Sequence, residues 1–284
     1  MKYLAPIIVI AALWAQQPPA SPKPAVALPD FFVVGSDPQF GFFTKNHDFV
    51  QETANFEFFI ASMNRLKPRF VVMTGDLTNT PDDKQIAEFH RIARNLLPSI
   101  RLYNVAGNHD VQDVPTPLTL SEYRKNWGPD YYTFDWEKTR GIVINSSLIQ
   151  HPANVQPEAD KQEQWLRAEL AKAKSEGMRV IIFQHIPYFL EKVDEPEQYF
   201  NIRSDARAAY LRLFHDFGVE HIFAGHYHRN SEGHDGDIDM VTTGAIGVPL
   251  GTSSSGFRTV MLDTLDHPFV SLANIPNQVT ADQR

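Results

Sequence analysis

An α/β fold is predicted for residues 31–275 on three observations. Short apolar runs of β-branched and aromatic residues recur along the chain, helix-like segments separate them, and Gly or Pro marks most of the boundaries. The runs lack polar alternation, as expected of strands buried on both faces of a sheet. The first is "FFVVGS" (31–36), followed by a helix expected over Asp48–Leu66, where Val50, Ala54, Phe58 and Met63 fall near helical spacing. "RFVVMTG" (69–75) leads to a helix over Asp82–Leu97, and "RLYNVAG" (101–107) and "GIVINSS" (141–147) are the next two strands. A helix over Ala159–Glu176, the strand "RVIIFQH" (179–185), a helix over Ser204–Phe217 and the strand "HIFAGH" (221–226) complete the alternation. From Asp237 the pattern becomes extended without helices ("DIDMVTTGAIG", "FRTVMLD", "PFVSLAN"), which predicts an antiparallel or mixed sheet at the end of the chain.

Composition bounds the function. The 284 residues are 43% hydrophobic and 21% charged, suiting one large domain or two tightly joined ones. A net charge of −8 argues against a nucleic-acid partner, which needs a basic face. There are no cysteines, so disulfides and zinc–thiolate sites are excluded and any metal must be held by oxygen or imidazole. At the N-terminus, Lys2 precedes an apolar run from Leu4 to Trp14, read as a signal peptide over 1–15 with cleavage after Ala15. An uncleaved anchor is the alternative, but the run is short for a membrane span. A Pro/Ala-rich linker is expected over 16–30 and a tail over 276–284. Export to a periplasm or to the exterior follows from this reading, with no stable membrane insertion after cleavage.

The strand ends carry the chemistry. Asp37 and Gln39 follow the first run, Asp76 the second, Asn108 and His109 the third, His185 the fifth, and His226 and His228 the sixth. In open α/β sheets ligands gather beyond the carboxyl ends of strands, so residues far apart in sequence can meet at one rim. Taken singly, "TGDLT" or "GNHD" reads equally as a turn, and His185 as a satisfied core histidine. Jointly they place two aspartates, two amides and four histidines where loops converge.

Asp37-x-Gln39, Gly75-Asp76, Gly107-Asn108-His109-Asp110, His185 and Gly225-His226-Tyr227-His228 follow, in order, the motif blocks of the calcineurin-like metallophosphoesterases, which the chain resembles over roughly residues 31–262. The stretches "DPQFG", "WGPDYYTF", "FQHIPYFL" and "GHYHRN" look like the calcineurin-like phosphoesterase domain-containing branch, a group of Ser/Thr phosphatases. The resemblance implies a four-layer αββα sandwich of two mixed β-sheets. It also implies two divalent cations (Mn, Fe, Zn or Mg) bridged by Asp76. Asp37, Gln39 and His228 would hold the first, with Gln39 where many relatives carry histidine; Asn108, His185 and His226 would hold the second. It further implies hydrolysis of phosphate monoesters by a hydroxide between the ions, on a phosphoprotein or a phosphorylated small molecule. A phosphodiesterase, or a binding module that keeps the metals without catalysis, is the alternative. His109 would protonate the leaving oxygen with Asp110 orienting it, and Asn108, His109, Arg229 and Tyr199 are candidates for substrate contact. The iron-binding tyrosine of purple acid phosphatases would fall at Asn79, which speaks against that group.

Overall fold

Two sheets stack face to face, because most of their strands are apolar on both sides and need cover from both. The computed structural model describes residues 30–275; the expected signal peptide, the tail and all of the linker except Asp30 lie outside the described residues. The first half of the chain runs β1 (Phe31–Gly35), α1 (Val50–Leu66), β2 (Phe70–Met73), α2 (Asp83–Ala93), β3 (Arg101–Asn104), α3 (Asn108–Val111), α4 (Pro117–Trp127), β4 (Tyr132–Trp136), β5 (Thr139–Val143) and α5 (Ser146–Gln150). The second runs α6 (Gln156–Glu176), β6 (Arg179–Phe183), α7 (Ser204–Phe217), β7 (His221–Ala224), β8 (Ser231–Asp235), β9 (Ile238–Thr242), β10 (Gly256–Met261) and β11 (Phe269–Ser271). One sheet has the order β11-β10-β1-β2-β3, the other β4-β5-β6-β7-β9-β8. Both are mixed: β1, β2 and β3 run parallel, as do β5, β6, β7 and β9, while β10, β11, β4 and β8 pair antiparallel.

The period of two along each strand sorts its side chains into three apolar layers. In β1 and β2, Phe32, Val34, Phe70 and Val72 point between the sheets, where they meet Ile181, Phe183, Phe223 and Val241. Val33, Val71 and Met73 point outward onto Phe56, Phe59 and Ile60 of α1 and Phe89 of α2. On the other sheet Val180, Ile182 and Ile222 pack against Leu166 and Leu170 of α6 and Leu211 and Phe214 of α7. The Phe32 ring lies 6.0 Å from both Phe183 and Phe223, locking the sheets across their centre. This is the four-layer αββα sandwich.

Several elements differ from the sequence reading. α2 stops at Ala93 rather than Leu97: the Asn95 side chain donates to Arg91 O (3.0 Å) and Ile92 O (3.1 Å) at its end, and Leu97 itself is disfavoured from helix by Pro98. α6 begins at Gln156, earlier than Ala159, with Pro157 in its first turn. β4, β8 and α4 were not expected. The extended C-terminal stretches do not form one sheet: β9 joins β7, whereas β10 crosses over to pair with β1 and β11 adds to the far side of β10.

Candidate metal centre

The parallel strands of each sheet end together, and backbone hydrogen bonds tie the loops beyond them. Asp37 N donates to Gly75 O (3.1 Å), Gln39 N to Asp76 O (2.9 Å) and Gly225 N to His185 O (2.9 Å). His226 N donates to Asp37 Oδ2 (3.1 Å), joining the loops of the two sheets. Five non-glycine residues of these loops have left-handed backbone: Asp37 (φ 49°), Gln39 (36°), Asp76 (48°), His226 (69°) and His228 (54°). Such φ values are uncommon outside glycine and cost of order 1–3 kcal/mol each, so their clustering marks a site whose geometry the surrounding fold enforces. Glycine permits the close approach. A Cβ on Gly107 would lie 2.0 Å from Asp76 N, and one on Gly225 1.8 Å from Ser36 Oγ.

The side chains form two groups that share Asp76: Asp76 with His185 and His226, and Asp37 and Asp76 with His228, the candidate ligand atoms in each lying within 4.8 Å of one another. Each histidine spends one ring nitrogen on a backbone carbonyl. His185 Nδ1 is 2.7 Å from Thr74 O, His228 Nδ1 2.7 Å from Val248 O, and His226 Nε2 3.0 Å from Tyr199 O. A carbonyl only accepts, so these nitrogens carry the protons and the opposite lone pairs are left for the centre. There His185 Nε2 lies 3.2 Å from Asp76 Oδ1 and 2.9 Å from Asn108 Oδ1, and His228 Nε2 lies 3.3 Å from Asp37 Oδ1. Asp37 Oδ1 and Gln39 Oε1 are buried without a hydrogen-bond partner among the described residues. Lone pairs converging on lone pairs, with orphaned oxygens beside them, need positive charge. The protein alone supplies it by protonation. Burial opposes charge on His185 and Asp76, yet their attraction prevails, pushing His185 up to about 9 and holding Asp76 well below the usual carboxylate range. Burial and the neighbouring His185 push His226 down to about 4. The donor set of carboxylate, imidazole and amide oxygen fits two divalent cations with Asp76 between them.

At the mouth, His109 N donates to Asp76 Oδ1 (2.9 Å) and its Nδ1 lies 2.9 Å from Asn79 O. Asp110 does not orient His109, contrary to the expectation from adjacency. Its carboxylate turns inward to accept from Leu77 N (3.1 Å), Thr78 N (3.0 Å) and Gly107 N (3.0 Å), joining the Asp76 loop to the Asn108 loop. Burial and the nearby Asp76 push Asp110 up to about 7, against those hydrogen bonds. Asn79 takes the orienting place through its carbonyl, which no side-chain pattern announces.

Asn108 and Tyr199 line a cleft of about 350 Å³ together with Asp113, His151 and His226. Tyr199 is 59% exposed; its hydroxyl accepts from Asn108 Nδ2 (3.4 Å), and its ring lies 4.9 Å from that of His226. Asp113, also bonded to Asn108 Nδ2, was not expected from the sequence. Arg229 is not brought into this cleft. Its guanidinium lies 5.1 Å over the Tyr227 ring and donates to the Tyr227 hydroxyl (3.3 Å).

A family model described as calcineurin-like phosphoesterase matches residues 32–230. The chain belongs to the calcineurin-like phosphoesterase family. Its relatives include the serine/threonine-protein phosphatase CPPED1 of Bos taurus, 33% identical over 273 residues that cover 89% of this chain and 87% of that protein. Among solved structures, a dimetal phosphatase from Danio rerio superposes with a TM-score of 0.61 at 17% identity, covering 82% of this chain and 93% of that one. GAP50, the anchor in the inner membrane complex of Plasmodium, superposes at 0.64 and 15% identity, covering 86% and 85%. At such identities the structural likeness speaks to the fold alone, and one fold hosts different roles. Activity in a calcineurin-like phosphoesterase must therefore be argued from its site.

Proposed function

We propose that this phosphoesterase hydrolyses phosphate monoesters, acting on phosphoserine or phosphothreonine in proteins or on a phosphorylated small molecule. The observation that carries the reading is the pair of ligand groups meeting on Asp76 with His109 beside them. In this reading Asp37, Gln39 and His228 hold one cation, Asn108, His185 and His226 the other, and Asp76 is shared. Two bound ions would neutralise charge on the phosphoryl oxygens and lower the pKa of a water toward neutrality.

The chain supplies the rest. His109 Nδ1 is held by the Asn79 carbonyl, which leaves Nε2 as the ring nitrogen that exchanges protons; as the imidazolium, His109 would give the Nε2 proton to the departing alkoxide. The Asn108 amide and the Tyr199 hydroxyl stand at the cleft as hydrogen-bond partners for phosphate oxygens. Relatives that are serine/threonine-protein phosphatases support the monoester reading. Metal-reconstituted protein should hydrolyse p-nitrophenyl phosphate, and phosphoserine peptides, faster than bis(p-nitrophenyl) phosphate. Turnover of the bis-ester alone would make it a diesterase, and inertness with Mn²⁺, Fe²⁺, Zn²⁺ and Mg²⁺ would leave a binding module.

The signal-like N-terminus supports export, with cleavage after Ala15. N-terminal sequencing of protein recovered from a periplasmic fraction should begin at Gln16; an intact leader on cytosolic protein would refute this.

A further inference from the structure

Gln39 has a buried amide oxygen with no hydrogen-bond partner among the described residues, and a chain of hydrogen bonds explains why that end of the amide is oxygen. The chain starts at Gln85, in the first turn of α2. Gln85 Oε1 accepts from the backbone N–H groups of Asn79 (3.0 Å) and Thr80 (2.9 Å). Backbone N–H groups cannot accept, so the oxygen of Gln85 must lie there and its Nε2 must face away. That Nε2 donates to Asn46 Oδ1 (2.9 Å), and Asn79 Nδ2 donates to the same oxygen (2.8 Å). Asn79 therefore turns its own Oδ1 to Gln39, whose Nε2 donates to it (3.2 Å). What remains is Gln39 Oε1, buried in the loop that carries Asp37.

We propose that Gln85, Asn46 and Asn79 are positioning residues: they pass a polarity fixed by the backbone through successive amides, so that Gln39 presents oxygen, not N–H, to the cation held by Asp37 and His228. The inference rests on the two-cation reading above. The two faces of an amide are nearly the same shape but opposite in charge, and an NH₂ turned toward a cation repels it. A glutamine in a ligand position thus needs its orientation set from outside. Asn79 serves twice, since its carbonyl also holds His109.

The polarity can be reversed from a distance. In Gln85→Glu one carboxylate oxygen still accepts from Asn79 N and Thr80 N, but the other is now an acceptor facing Asn46. Asn46 and Asn79 must then turn over, and Gln39 must offer Nε2 where Oε1 was. Mn²⁺ titration calorimetry on chelator-stripped protein reads this directly, and circular dichroism melts confirm folding. Wild type should take up two ions. Gln85→Glu should bind one of them at least about tenfold more weakly and the other unchanged. Adding Gln39→Glu, which carries oxygen at both ends, should restore the lost affinity in the double variant. Unchanged binding in Gln85→Glu, or a loss that Gln39→Glu does not restore, overturns the inference while leaving the two-cation reading intact. A wild type that binds no Mn²⁺ overturns both. Should Gln85→Glu fail to fold, Asn46→Lys places a donor at an exposed turn position and carries the same expectation, including rescue by Gln39→Glu.

Discussion

A proton fixed on Nδ1 of His109 by the Asn79 carbonyl leaves one ring nitrogen to do chemistry, and that makes its role measurable. A proton donor matters when the leaving group is a poor one. His109→Asn should lower kcat on alkyl phosphates by about 10²–10⁴-fold, yet far less on p-nitrophenyl phosphate, whose phenolate leaves without help. Equal losses on both substrates in steady-state assays would mean that His109 only braces the loop. At this scale the sequence shows what kinds of side chain stand at the strand ends, because Asp, Asn and His are recognisable there. It does not show what fixes them. The carbonyls of Thr74, Asn79, Tyr199 and Val248 set four histidine tautomers, and a carbonyl belongs to every residue alike. Asp110 misled for the same reason: adjacency to His109 says nothing about a side chain that a short helical turn directs into the interior.

Elements were legible where burial was two-sided. β1, β2, β6 and β7 lie inside their sheets and read as plain apolar runs. β4 and β8 lie at sheet edges, with mixed and partly exposed residues such as Ser231–Asp235, and their sequences resemble loops. α4 starts at Pro117 behind the capping hydroxyl of Thr116 and buries only a narrow face, so its apolar pattern is faint. Between elements, the junction of the β2 and β3 loops leaves no room for a side chain at Gly107. Gly107→Ala would drive a methyl group to 2.2 Å from Asp76 Oδ1. Unfolding by urea should show a loss of about 1–3 kcal/mol, together with lost Mn²⁺ uptake, since the shared carboxylate must shift. A variant as stable and as metal-competent as wild type would contradict the close packing described.

For the molecule as a whole, the centre is a liability when stripped. Asp37 and Asp76 are almost wholly buried, two carboxylates side by side, and Asp37 Oδ1 finds no hydrogen-bond partner among the described residues. Chelation should therefore lower the melting temperature, and restoring free Mn²⁺ to about 100 times the Kd of a site should add about 2.7 kcal/mol for each site so filled. A melting temperature indifferent to chelator in scanning calorimetry would mean that the ions are not part of the folded state. The family and its layered architecture were readable from the motif blocks; the division of the last strands between two sheets was not, because local pattern carries no record of distant pairing.

That division has a consequence for biogenesis. The strand that leads into Asp37, β1, is flanked on one side by β10, which is synthesised more than two hundred residues later. The segment leading into β10 also lends Val248 O to His228, and Gly247 N caps Asp37 O. A nascent polypeptide therefore cannot finish its catalytic pocket until nearly all of it has emerged, and a product truncated before Gly247 would lack the backbone groups that hold Asp37 and His228, however intact its motifs.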